Sequence, residues 1–206
     1  MKKLLMSAAI AVLAFSQVNA QDETLYFGFS EGDVIVEGNV NFNSTNDKNS
    51  DTKTNAFGIS PKVGYFLNDD LAIGGMLDFN SYKREVAGTD TDKTSGFGFG
   101  VFGRYYFLDL GERFKTYTEL GVGYNIDDDK IADLKENTIG AGLTLGLNYF
   151  VKENIALTFG LDNLLSFSSS KYDTSGAKAE TDFNLGAGSV NNPFGGTANF
   201  GVLFKF

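Results

Sequence analysis

The chain has 206 residues and a formal charge of −9, with no cysteine and no histidine. Disulfides and thiolate metal sites are therefore excluded, as are hydrolytic triads and dyads that use histidine as their base near neutral pH. The acidic balance argues against nucleic acid as a partner, and 2 prolines against 25 glycines suit long uninterrupted backbone ladders.

Residues 1–20 read as a cleaved secretory signal peptide: a basic start at Lys2-Lys3, an apolar run from Leu4 to Phe15, and Val18-Asn19-Ala20 before Gln21. Loss of Lys2 and Lys3 takes the formal charge from −9 to −11. Residues 21–206 are then one domain, and no later apolar run is long enough for a membrane-spanning helix.

Eight stretches alternate with period two, near 33–42, 54–66, 71–82, 95–107, 114–126, 138–151, 155–167 and 197–206. In the sixth, Ile139, Ala141, Leu143, Leu145, Leu147, Tyr149 and Val151 share one face, opposed to Thr138, Gly140, Gly142, Thr144, Gly146 and Asn148. The seventh sets Ile155, Leu157, Phe159 and Leu161 against Ala156, Thr158, Gly160 and Asp162. A soluble sandwich also alternates, but its outer face meets water. Here the second face is rich in Gly, Ala, Thr and Ser with only one or two charges per strand, which fits the inside of a narrow barrel whose aliphatic face meets lipid. The connections support this. Those at 67–70, 108–113 and 152–154 are short, and those at 43–53, 83–94, 127–137 and 168–196 are long and polar. Outer-membrane barrels alternate short periplasmic turns with longer extracellular loops in this way. Tyr65-Phe66, Tyr105-Tyr106-Phe107, Phe114 and Tyr149-Phe150 lie beside the short turns, where a periplasmic aromatic girdle belongs.

The expected fold is all-β: a closed, antiparallel, up-and-down transmembrane barrel. Residues 24–30 and 181–188 also alternate in part. Strand numbers are even in bacterial single-chain barrels, so ten strands would need both pieces. Eight is the favoured count, with the two pieces as a periplasmic lead-in and a loop hairpin.

The segment from Pro61 to Gly74, Gly103-Arg104-Tyr105-Tyr106-Phe107, Leu147-Asn148-Tyr149-Phe150 with Asn154-Ile155-Ala156-Leu157, and the ending Gly201-Val202-Leu203-Phe204-Lys205-Phe206 resemble the small outer-membrane barrels. These are the family of the outer-membrane protein A membrane domain and outer-membrane protein X. The resemblance implies a multi-pass protein of a Gram-negative outer membrane, with extracellular loops and periplasmic ends. It also implies lipid and lipopolysaccharide as surroundings and the barrel-assembly machinery, reading the terminal aromatic, as a partner in biogenesis. It assigns no biochemical role.

No catalytic, cofactor-binding or metal-ligating residue is assigned, and an enzyme is not expected. Asp127-Asp128-Asp129 with Asp133 and Glu136 offers oxygen ligands of the kind calcium takes, but without the EF-hand spacing it reads as a solvated loop tip. By alternation Glu37, Lys62, Asp78, Arg104, Glu119, Asp162 and Lys205 point inward. They form either a salt-bridged plug or a charge-filtered conduit, and the narrow lumen of eight strands favours the plug. The expected role is structural or interactive, by a monomer acting through its extracellular loops toward a ligand the sequence does not name. A small or gated pore is the alternative.

Overall fold

The computed structural model describes residues 26–186 and 198–206. They form nine strands: β1 (Val34–Asp47), β2 (Thr52–Asn68), β3 (Leu71–Val86), β4 (Thr89–Asp109), β5 (Phe114–Asp129), β6 (Leu134–Lys152), β7 (Ile155–Tyr172), β8 (Glu180–Leu185) and β9 (Ala198–Lys205). All pairings are antiparallel. β1 to β7 follow one another, and β9 closes the ring by pairing with both β7 and β1. The ring therefore has eight strands. β8 lies outside it, bonded to Leu165–Ser170 of β7, while β9 takes residues 155–161 of the same strand. Of the two extra pieces, 181–185 is the strand β8 and the described part of the first, 26–30, is not a strand. Residues 187–188 lie outside the described residues.

The stagger of the ring can be read from its register. From Met76, one route runs through Gly100, Gly123 and Gly140 to Ser168, and the other through Lys62, Glu37 and Leu203 to Ala156. The ends differ by 12 residues on β7, two of them extra residues in a bulge opposite Thr144, which leaves a stagger of ten. Tilt and stagger of this kind accompany closure of a small barrel. Asn163, with φ at 56°, sits in that bulge, where β7 passes from its β9 partner to β8.

The strands run well beyond the expected ends. The long connections at 43–53, 83–94 and 127–137 are ladders almost to their tips, closed by turns at 48–51, 87–88 and 130–133. The backbone groups that face each other across such a hairpin pair in register, and polar side chains add cross-strand bonds such as Ser44–Asn55 at 2.9 Å within the first hairpin and Thr138–Ser170 at 2.8 Å between β6 and β7. The tightest turn, Ala87-Gly88, has φ of 50° and 77°; two positive values in a two-residue turn match the twist of a hairpin.

The outer surface is a belt of exposed apolar side chains. Phe57, Phe79, Phe97, Phe99, Tyr124 and Phe167 ring its upper edge, with Phe79–Phe97 at 5.2 Å and Phe99–Tyr124 at 5.8 Å. Tyr65, Tyr105, Phe107 and Phe114 ring the lower edge, with Phe114–Tyr149 at 4.7 Å. Phe97 and Phe107 stand ten residues apart on β4. That is about 33 Å of strand and, at a tilt near 40°, roughly 25 Å of height, the thickness of the apolar band of an outer-membrane barrel. The expected periplasmic girdle is only half right. Phe66, Tyr106 and Phe150 alternate to the inside, where they are buried.

Candidate functional site

The lumen has three storeys. The lowest is an aromatic plug at the end of the short turns. The lead-in chain folds back under the barrel and inserts Phe29, which stacks on Phe66 at 4.3 Å and meets Tyr106 at 4.6 Å and Phe150 at 5.2 Å. Phe27 is buried beside Phe150, with the Arg113 guanidinium 4.2 Å from its ring centre. Polar bonds hold the strap in place: Lys205 Nζ donates to the Gly28 carbonyl at 2.8 Å, the Tyr26 N–H to Glu153 at 2.6 Å, and the Glu31 N–H to Asp69 at 3.1 Å.

Above the plug lies a charged tier. Arg104 is 0 % exposed, and Glu37 and Glu119 are 8 % and 4 % exposed. The guanidinium donates through Nη1 and Nη2 to the two oxygens of Glu37, at 2.9 Å from Nη1, and through Nε to Glu119 at 2.8 Å. Lys62 Nζ donates to the other oxygen of Glu119 at 2.5 Å. Tyr117 lies 4.1 Å from the guanidinium carbon, and Tyr106 passes its hydroxyl hydrogen to Asn148 at 3.0 Å. Glu37 on β1 and Glu119 on β5 stand four places apart in a ring of eight. The chain Glu37–Arg104–Glu119 therefore ties opposite walls together across the full width of the lumen. A charge buried this far from water is tolerated only when paired and fully hydrogen-bonded, and Arg104 meets both conditions.

The upper storey is open. A cavity of about 550 Å³ rises from the charged tier, lined by Asn39, Ser60, Asn125, Thr138, Ser166 and Asn199 together with many glycines. Asp78 and Asp162 also line it, and β3 and β7 stand four places apart, so the two carboxylates face each other across the space. Asp78 accepts from Ser60 at 2.5 Å and Asn80 at 3.3 Å; Asp162 accepts from Thr144 at 2.9 Å and from Asn199. Neither has a cationic partner among the described residues.

All seven inward charges read from the alternation do face the inside. Four of them, Glu37, Lys62, Arg104 and Glu119, meet in one network; Asp78 and Asp162 have neutral partners, and Lys205 serves the strap and lies 3.7 Å from Asp33. The lumen is filled only in its lower half, because the inward positions above the charged tier are mostly glycine, serine and asparagine. The acidic tip divides its carboxylates among separate tasks. Asp127 accepts from Asn125 at 2.6 Å, Asp128 pairs with Lys130, and Asp129 takes the N–H groups of Ile131 and Ala132 at 2.8 and 3.0 Å. Those two backbone bonds hold the Asp129 carboxyl below its ordinary range. Among the described residues no cluster is arranged to hold a metal. Alternation alone did not find Phe27 and Phe29, whose short segment looked like a fragment of strand, nor the roles of Tyr106, Tyr117 and Asn148. The last three share inward parity with Arg104 and Glu119, which was the available signal.

Comparison with known proteins agrees with this architecture. The sequence profile of the family described as Outer membrane protein beta-barrel domain matches residues 7–190. The chain belongs to that family. It is an integral outer-membrane barrel protein. Outer membrane porin F of Pseudomonas fluorescens is 24% identical over 158 residues, covering 74% of this chain and 48% of the relative, so the chain spans about half of that protein's length. The crystal structure of OprG from Pseudomonas aeruginosa matches with a TM-score of 0.53 at 15% identity, covering 88% of this chain and 99% of OprG. The N-terminal barrel of Pseudomonas aeruginosa OprF gives 0.43 at 16% identity, over 85% and 98% of the two chains. At 15% identity the likeness to OprG is one of fold.

Proposed function

We propose that this protein is a barrel closed on its periplasmic side, with a structural and surface-interaction role exercised through its extracellular hairpins and the vestibule between them. The observation that carries this reading is the Glu37–Arg104–Glu119 bridge across the lumen, backed from below by Phe29, Phe66 and Phe150. A solute entering from outside meets a wide polar cup with a charged, hydrogen-bonded floor. In this reading residues 1–20 are removed on export, the remainder works as a monomer, and no reaction is catalysed. The lack of histidine supports the last point. The barrel-assembly machinery and lipopolysaccharide are its proposed partners in the envelope, and the extracellular ligand of the cup is a small polar molecule.

A small or gated pore is the second reading, favoured by the cavity of about 550 Å³ and by the porin name of the relative. Liposome swelling separates the two. Proteoliposomes carrying the purified chain should swell in arabinose or glycine no faster than empty liposomes. Swelling that scales with protein and falls with solute size would replace the closed barrel by the pore.

A further inference from the structure

The open cup above the charged tier carries more negative charge than its own cations balance. Lys62 and Arg104 are taken up by Glu37 and Glu119 in the floor. Asp78 and Asp162 stand higher in the wall, where their partners among the described residues are all neutral. An ionised carboxylate offers about four acceptor positions. Asp78 fills two of them with Ser60 and Asn80, and Asp162 two with Thr144 and Asn199. The same wall is short of donors elsewhere. Asn39 and Asn125 line the cavity, and each holds a buried carbonyl oxygen that accepts no hydrogen bond among the described residues. Buried acceptors are costly when left unpaired, so the wall as a whole suits a ligand rich in N–H groups.

The spacing narrows the ligand further. Glu37 on β1 and Glu119 on β5 are four places apart in the ring, and a single guanidinium joins them. Asp78 on β3 and Asp162 on β7 are also four places apart, so they face each other over the same width. Aspartate is one methylene shorter than glutamate, and the gap between these carboxylates is therefore wider than one cationic group fills. With the stagger shared around the ring, Asp162 stands level with Met76, and Asp78 two residues higher, roughly 5 Å along the axis. A single metal ion cannot serve both, because its oxygen ligands must close to about 2.3–2.6 Å. Two cations joined by a short flexible chain can. Met76 lines the cavity beside Asp78 and gives that chain an apolar surface. The cavity of about 550 Å³ has room for such a molecule together with bridging water.

The approach is charged in the same sense. On the inward parity above the cup, the hairpins carry Asp127, Asp129, Glu136 and Asp182 against one base, Arg84, among the described strands. A cleft lined by one sign of charge concentrates the opposite sign at its mouth.

We infer that the cup is a binding site for a short aliphatic diamine, with one ammonium group on Asp78 and the other on Asp162. Both amines are protonated at neutral pH, as a lysine side chain is, and each ammonium brings three donors. This rests on the reading that the vestibule receives a small polar molecule, and it specifies the charge and length of that molecule.

The test is isothermal titration calorimetry of the purified full-length chain in detergent. The probes are putrescine, butylamine and the matching diol, which place two charges, one and none on the same carbon chain. The diamine should bind at least about tenfold more tightly than the monoamine, and the diol should bind weakest. Asp78→Asn and Asp162→Asn, nearly isosteric changes, should each bring the diamine down to the affinity of the monoamine. The double variant should lose the preference for charge altogether. Asp70→Asn removes one negative charge at a periplasmic turn and should leave all three affinities unchanged. Heat-modifiable migration on gels shows that each variant is folded. Equal affinity for diamine and monoamine would overturn the two-point site, as would an unchanged preference in both single variants. A diol bound as tightly as the diamine would overturn the inference while keeping a small polar ligand in the cup. Absence of binding by all three would overturn it as well, and liposome swelling then reports separately whether the floor is closed.

Discussion

Replacing Arg104 with Met removes the guanidinium but keeps most of the side-chain volume, which isolates the charge. Arg104 is fully buried and makes its charged bonds to two carboxylates that are themselves nearly inaccessible. Without it Glu119 retains Lys62 at 2.5 Å, whereas Glu37 loses its one ionic partner among the described residues. Breaking a buried pair on one side costs roughly 3–5 kcal/mol, because the remaining charge has neither water nor a counter-ion. Arg104→Met should therefore destabilise the barrel by about that amount. Adding Glu37→Gln removes the stranded charge, and the double variant should recover more than half of the loss. Urea unfolding in detergent, followed by tyrosine fluorescence and by the heat-modifiable gel shift, measures both. A single variant within about 1 kcal/mol of wild type, or a double variant worse than the single, would refute the reasoning.

Other outcomes follow from the two faces and the strap. Leu145→Arg, on the lipid face near the middle of the belt, should cost about 2–4 kcal/mol. Leu157→Arg should cost less, since its cross-strand partner is Tyr149 of the lower ring; equal costs in the same unfolding assay would contradict the placement of the belt. Phe29→Ala should destabilise by about 3 kcal/mol, the low end for a buried aromatic, and should free the strap to proteolysis from the periplasmic side. An unchanged protease pattern would show that the strap is held by its polar bonds alone. Gly146→Ala places a methyl carbon 2.1 Å from the Tyr117 ring and so presses on the wall of the charged tier. It should cost about 1–3 kcal/mol, whereas Thr144→Ser, which keeps the hydroxyl bonded to Asp162, should fall within about 0.5 kcal/mol of wild type.

The transmembrane part was legible because lipid imposes a strict rule on every strand. An aliphatic or aromatic residue recurs at most second positions, as Leu145, Leu157 and Val202 do. The same parity placed Arg104 and Glu119 inside, and inside a narrow lumen they had to meet a counter-charge. Outside the membrane that rule lapses. Ser44 and Ser170 lie beyond Phe42 and Phe167, the last apolar residues on the outer faces of β1 and β7, so these strand extensions read as loops. The turn at Ala87-Gly88 lacks the Asn-Gly or Asp-Gly signature of its type, and only Gly88 hinted at it. The aromatic plug was hidden for another reason. Phe66, Tyr106 and Phe150 sit next to Tyr65, Tyr105 and Tyr149, and composition cannot divide such pairs between lipid and lumen. Parity could have done so.

Planar-bilayer recording of the purified wild-type chain tests the closed lumen most directly. With the Glu37–Arg104–Glu119 bridge intact, membranes containing the protein should show no stable conductance steps over long recordings at either polarity. Reproducible open channels in the wild type, narrowed or widened by Arg104→Met, would show that the bridge lines a pore instead of closing one.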